Sequence, residues 1–141
     1  MTTDTQVFLD ANAIIYALDE TSDQHAEVIG LIQKLLNDGV TLCTSHHVIE
    51  EVLHVARRVG GTSTTQVIGE ISKIPDLVLV EPDAVLAFAE RYAALSDKFH
   101  MGVNDALLLQ LVIDAGISSL FSYDKQFVKH AVDLGIKQIT R

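Results

Sequence analysis

Val7-Phe8-Leu9-Asp10-Ala11-Asn12-Ala13-Ile14-Ile15-Tyr16-Ala17-Leu18 is an apolar run interrupted by one acid. Val7 to Leu9 reads as a buried strand and the residues after Asp10 as an apolar helix that begins at once. Asp10 then stands at the C-terminal end of a strand, with Asn12 just beyond it. Parallel α/β folds bind their ligands in the crevice outside those strand ends. The fold and the chemistry therefore depend on what else the chain brings to that edge.

Outward from this run, helical and strand patterns alternate. His25 to Asp38 carries apolar residues at helical spacing and ends at Gly39, the position expected of a left-handed cap. Val40-Thr41-Leu42-Cys43-Thr44 follows as a short buried strand, and Ser45 N-caps a helix from about His46 to Val59 that Gly60-Gly61 closes. Thr62 to Thr65 open a helix over Gln66 to Lys73, stopped by Pro75. Leu77 to Val80 is a third strand, followed by a helix from Ala84 to about Leu95. Ser96 to Gly102 lacks a clear period and reads as a loop. A helix from Asp105 to Ala115, a strand from Ser119 to Ser122, a helix from Lys125 to Leu134 and a strand from Ile136 to Ile139 complete the chain. Strands and helices joined by short glycine-bearing links predict a three-layer α/β fold, with a central parallel sheet of about five strands and helices on both faces.

The chain has 141 residues, the size of one domain spanning 1–141. Apolar residues make up 48% and charged residues 21%, a balance that excludes intrinsic disorder. Met1 to Gln6 is polar without a positive residue, unlike a secretory leader, and no apolar run reaches membrane-spanning length. A single cysteine, Cys43, excludes an internal disulfide framework and suits a cytoplasmic protein. The net charge of −9, from nineteen acids against ten Lys plus Arg, excludes binding of nucleic acid by bulk positive charge. Acidity of this kind serves solubility, or else it reflects acids that converge on divalent cations.

Four places on the strand-end edge carry an acid. Asp10 follows the first strand and Asp124 the fourth. Glu50-Glu51 lies in the second turn of the helix after the second strand, and Asp105 in the first turn of the helix before the fourth. Val48, Ile49, Val52, Leu53, Val55, Ala56 and Val59 define that first helix's buried face. At about 100° per residue Glu51 borders this face beside Val48 and Val55, whereas Glu50 points away, with His54 at i+4. Glu51 is thus the better site candidate. Converging carboxylates repel one another unless a cation intervenes. Oxygen-only ligation suits Mg²⁺ or Mn²⁺ better than Zn²⁺, and two such ions ~4 Å apart are suited to phosphodiester hydrolysis.

In order, Leu9-Asp10-Ala11-Asn12, Thr44-Ser45 with Glu51-Val52-Leu53, Asn104-Asp105-Ala106-Leu107-Leu108 and Ser122-Tyr123-Asp124-Lys125-Gln126-Phe127 resemble the PIN domain, and in size the VapC-type toxins of prokaryotic toxin–antitoxin pairs. The resemblance covers essentially the whole chain. It implies a metal-dependent endoribonuclease with an acidic pocket for Mg²⁺ or Mn²⁺, often a homodimer inhibited by a small antitoxin. By matching motif positions it makes Asp10, Glu51, Asp105 and Asp124 the catalytic and metal-binding acids, with Asn12 and Ser122 as supporting polar residues. Glu50 beside Glu51 departs from the commonest form. So do Leu109 and Gln110, which imply no further acid from their helix.

Taken singly, each acid has a plainer explanation. Asp10 and Asp124 are suitable helix caps, and Asp105 in a first helical turn meets the helix dipole favourably. Only the set points to ions. His46, His47 and His54 lack the spacing of a zinc protease and read as surface residues, and Tyr16, Phe99, Tyr123 and Phe127 are too dispersed to form a base-stacking platform. No Walker loop, Gly-x-Gly-x-x-Gly or Gly-x-Ser-x-Gly occurs. Two other functions fit the same fold: an interaction scaffold with weak or no catalysis, and a DNA or flap nuclease, since nothing in the sequence reads a 2′-hydroxyl. The apolar helices from His25 to Leu36 and from Ser63 to Ile74 are candidates for a partner-facing surface.

Overall fold

The computed structural model describes residues 5–139. Along the chain run β1 (Gln6–Leu9), α1 (Ala11–Leu18), α2 (His25–Asn37), β2 (Thr41–Ser45), α3 (His46–Val59), α4 (Thr64–Ile71), β3 (Val78–Val80), α5 (Val85–Phe99), α6 (Val103–Asp114), β4 (Ser119–Phe121), α7 (Lys125–Asp133) and β5 (Lys137–Gln138). The five strands form one parallel sheet in the order β3-β2-β1-β4-β5.

The central position of β1 follows from its composition. Val7, Phe8 and Leu9 are each 0% exposed, which only a strand covered on both faces allows. Phe8 pairs with Cys43 on one side and Leu120 on the other, and Leu9 with Phe121. The chain leaves β1 toward β2 and β3, then returns through α5 and α6 to lay β4 against the opposite edge of β1. The strand order thus reverses between β1 and β4, the place where open α/β sheets form a ligand crevice. Thr44 Oγ1 donates to the Leu9 carbonyl at 2.9 Å and ties β2 to β1 just below that edge.

Gly39, Gly116 and Gly135 take positive φ at the helix-to-strand turns, as their spacing anticipates. Helix α6 is buried at Ala106 and from Leu108 to Val112, so it is nearly apolar all round and passes through the core. It is clamped to α5 by Arg91 Nη2, 2.6 Å from Asp114 Oδ2, while Gln110 donates to Asp114 Oδ1 at 2.9 Å. Gln110 thus serves helix packing.

Two expectations are corrected. Ser96 to Phe99 is not loop but the last turn of α5, because Tyr92, Leu95 and Phe99 continue one half-buried face against the core. The helix ends at His100, which takes the left-handed conformation (φ 54°, ψ 40°) usually reserved for glycine. His100→Gly should therefore stabilise the fold by up to about 1 kcal/mol, offset in part by the greater freedom of an unfolded glycine. Urea denaturation reads the change, and a loss of stability would contradict it. The second correction concerns the partner-facing surface. Helix α2 turns Val28, Leu31, Ile32 and Leu35 into the core. Helix α4 buries Val67 and Ile71 but leaves Ile68 exposed, and other large exposed apolar side chains include Val78 and Leu79 on edge strand β3 and Val85 and Leu86 opening α5. Among the described residues no helix is long and apolar enough to cross a membrane.

Candidate active site

Asp10 is fixed by its position between β1 and α1. Its backbone N–H donates to the Phe121 carbonyl at 3.1 Å, continuing the sheet ladder one residue past β1. Its side chain caps α1, Oδ1 accepting from Ala11 N at 2.8 Å, while Oδ2 accepts from Ser122 Oγ at 2.6 Å. Ser122 is a hub. Its hydroxyl oxygen also accepts from Asp124 N at 3.0 Å and from Asn12 Nδ2 at 3.5 Å. Asn12 Oδ1 in turn accepts from Tyr123 N at 3.0 Å. Asn12 and Ser122 thus lock the turn after β4 onto the turn after β1. Asp124, at the head of α7, uses Oδ1 to accept from Gln126 N and Phe127 N at 3.0 and 3.1 Å.

Ser122 is 2% exposed. Ser122→Ala removes the donor to Asp10 and an acceptor for Asp124 N in a place water reaches poorly, and should cost about 1–3 kcal/mol. Chemical denaturation checks the figure; an unchanged midpoint would show that the hub carries no stability.

A cleft of about 230 Å³ opens beside this turn. It is lined by Asp10, Asn12, His47, Glu51, Asn104, Asp105 and Asp124 among polar residues, with Ala11, Ile15, Val55 and Leu108 between them. All four acids expected from the sequence therefore face one space, though they come from four separate elements. Ser45 Oγ caps α3 by accepting from Val48 N at 3.1 Å, which sets the helix so that Glu51 meets the cleft. Glu50 does not line it. It stands 3.8 Å from His54 Nε2, exposed, and borders a neighbouring cavity.

The electrostatics follow from this crowding. Burial pushes the Asp10 carboxyl above its ordinary pKa, the Ser122 and Ala11 hydrogen bonds oppose the rise, and the Asp124 charge adds to it. Glu51 is raised by partial desolvation and by Asp10, Asp105 and Asp124, with His47 acting the other way. Asp105 is raised by desolvation and then by Asp124 and Asp10, with His130 opposing. Each carboxylate thus feels at least one other. Their separations are looser than ligation requires: among the described residues no three His, Cys, Asp or Glu side chains form a ready-made ion cage.

His47 was not singled out by the sequence, where it reads as a surface residue. It precedes Glu51 by one helical turn, and that i, i+4 spacing was the available signal. The aromatic residues serve packing. Tyr16 and Tyr123 meet edge to face at 5.1 Å, Phe121 lies 5.4 Å from Tyr123, and the Tyr123 hydroxyl donates to Glu27 Oε1 at 3.0 Å. This cluster braces the turn that carries Ser122 and Asp124.

The PIN domain family profile matches residues 7–133. The chain belongs to the PIN domain family. No curated protein sequence is significantly similar to this PIN domain. Solved structures share its fold. A sarcin-ricin-loop-cleaving toxin, VapC20 of Mycobacterium tuberculosis, superposes with a TM-score of 0.68 at 16% identity, over 96% of this chain and 99% of the toxin. VapBC2 of Rickettsia felis, bound to a DNA fragment from its promoter, gives 0.68 at 15% identity over 96% and 98%. VapBC-1 of nontypeable Haemophilus influenzae gives 0.64 at 16% over 96% and 97%. At these identities the likeness is one of fold.

Proposed function

We propose that this PIN domain is a Mg²⁺- or Mn²⁺-dependent endoribonuclease and the toxin of a toxin–antitoxin pair. The observation that carries the reading is the set of four carboxylates, Asp10, Glu51, Asp105 and Asp124, lining one cleft at the reversal of the sheet. A structural role would not require four like charges from four elements to share one space, where the pKa values of Asp10, Glu51 and Asp105 are raised.

The donor set suits a hard divalent cation. Every acid offers oxygen, and the carboxylates need positive charge between them. Asp10 and Asp105 would hold the ion from the two sides of the sheet reversal. Glu51 and Asp124, exposed at the rim, would complete the set, Asp124 through Oδ2 because Gln126 N and Phe127 N hold its Oδ1. Bound there, the cation supplies a polarised water and offsets charge developing on the scissile phosphate. The chain's own residues do the positioning: Ser122 and Asn12 fix Asp10 against the β4 turn, and Asn104 and His47 offer hydrogen bonds at the cleft wall. No side chain need form a covalent bond to substrate.

The partner reading draws on the same likeness. Several fold relatives are toxin–antitoxin complexes by name, VapBC and FitAB among them, and a small antitoxin is the expected inhibitor here. A homodimer is the expected assembly, with Val78 and Leu79 on the β3 edge among the apolar side chains available to bury. Buried, reduced Cys43 suits the cytoplasm.

The test is cleavage of total RNA with and without Mn²⁺, beside a matched DNA. Cleavage of RNA that requires the metal supports the reading. Metal-independent cleavage, or cleavage of DNA alone, would overturn it in favour of other nucleases, and metal binding without any cleavage would favour a scaffold.

A further inference from the structure

A second cavity of about 240 Å³ adjoins the acid cleft, and His47 lines both. Its walls come from the C-terminal end of β3, the start of α5 and the facing turns of α3 and α6. Phe88 and Tyr92 meet edge to face at 5.1 Å on one side, with Val85, Leu107 and Leu111 completing an apolar surround. Polar groups lie at its edge: His46, Glu50 and Glu81. Neither carboxylate belongs to the acid cleft, and Glu50, so close in sequence to Glu51, is thereby given a separate use.

We infer that this cavity is a subsite for one nucleobase of the RNA, that of a nucleotide flanking the scissile phosphate, and that it favours guanine. The inference rests on the ribonuclease reading and extends it to sequence preference. Size is the first argument. Pockets for drug-sized molecules run from about 300 to 1,000 Å³, so this one suits a single planar ring system. Chemistry is the second, because an aromatic and aliphatic surround accepts a base face, as single-strand binding proteins do. Continuity is the third: one imidazole separates the two spaces, so a nucleotide with its phosphate at the acids has its base within reach. Hydrogen bonding supplies the preference. Glu50 and Glu81 only accept, and guanine presents adjacent N–H donors on its Watson–Crick edge, where uracil has one donor between two acceptors.

The test uses free nucleosides, which carry no phosphate and so gain nothing from the acid cleft. In methyl-detected NMR titrations of the intact protein with chelator present, guanosine should shift the Val85, Leu107 and Leu111 methyls and bind several-fold more tightly than adenosine, cytidine or uridine. Glu81→Gln and Val85→Asp, both at exposed positions, should weaken guanosine at least about fivefold. In RNA cleavage the same variants should flatten a guanine preference beside the cut. Absence of shifts at saturating guanosine, equal response to all four nucleosides, or unaltered binding by both variants would overturn the subsite. A protein that binds guanosine but cuts no RNA would sink the ribonuclease reading and leave the subsite standing. An active nuclease without guanosine binding would do the reverse.

Discussion

Asp10→Asn is expected to lower metal-dependent RNA cleavage by at least about 10²-fold, the scale of losing one fixed charge-stabilising group, while the protein stays folded. Asparagine is nearly isosteric. Its Oδ1 can keep the cap on Ala11 N, while the 2.6 Å donation from Ser122 Oγ is given up, a loss set against relief of the buried charge. What disappears is the charge. Because burial already disfavours the Asp10 carboxylate, its removal should not destabilise the fold near neutral pH. Circular dichroism and a thermal melt would show the fold retained, and Glu70→Gln, an exposed change on α4 that breaks only a pairing with Lys73, should cut RNA as the parent does. Cleavage by Asp10→Asn within about twofold of the parent would remove Asp10 from the chemistry.

The second large effect concerns the cation and pH together. Asp10, Glu51 and Asp105 all have pKa values raised above 3.8 or 4.5, the ordinary values for Asp and Glu. The folded protein therefore binds these protons more tightly than the unfolded chain. The associated stability is present in full below the ordinary carboxylate pKa and is lost as pH rises through the raised values. At neutral pH all three are under electrostatic tension, and a divalent cation should relieve it. Mn²⁺ at a hundredfold excess over its dissociation constant should stabilise the protein by about 2.7 kcal/mol. The gain should shrink toward acid pH, where protons compete for the same oxygens. In chelator, Asp105→Asn should be more stable than the parent near neutrality and equal to it below pH 3.8, and Mn²⁺ should stabilise it far less. Melts from about pH 3 to 8 with chelator or Mn²⁺ would show this. No stabilisation by Mn²⁺ near pH 7 would leave the acids without a cation to serve.

Much of the fold could be read from the chain because burial on both faces leaves little choice of residue. Val7, Phe8 and Leu9 can only be a central strand, and glycines at 39, 116 and 135 mark the turns where the backbone must take positive φ. Helix α5 was harder, since its last turn is polar on the outside and ends at His100, with no glycine to mark the stop. The four acids that line the candidate cleft were legible in order, and helical phase alone separated Glu51 from Glu50. Its surroundings were not. His47 is flagged only by its i, i+4 spacing to Glu51, which also fits a surface pair, and the Tyr16, Phe121 and Tyr123 cluster joins segments far apart in sequence. The second cavity depends on how α5 and α6 cross, which no local pattern encodes.

The hydrogen bond from Ser122 to Asp10 joins residues 112 apart in the chain. During synthesis β1, α1 and α3 emerge early, yet the turn that completes the acid cleft waits for β4 and the head of α7. A nascent chain shorter than this carries Asp10, Glu51 and then Asp105 with no Asp124 and no hub to hold them. Closing so long a loop also carries a large entropic cost, which slows folding. The order of its strands thus delays completion of the acid cleft until nearly the whole chain has been made.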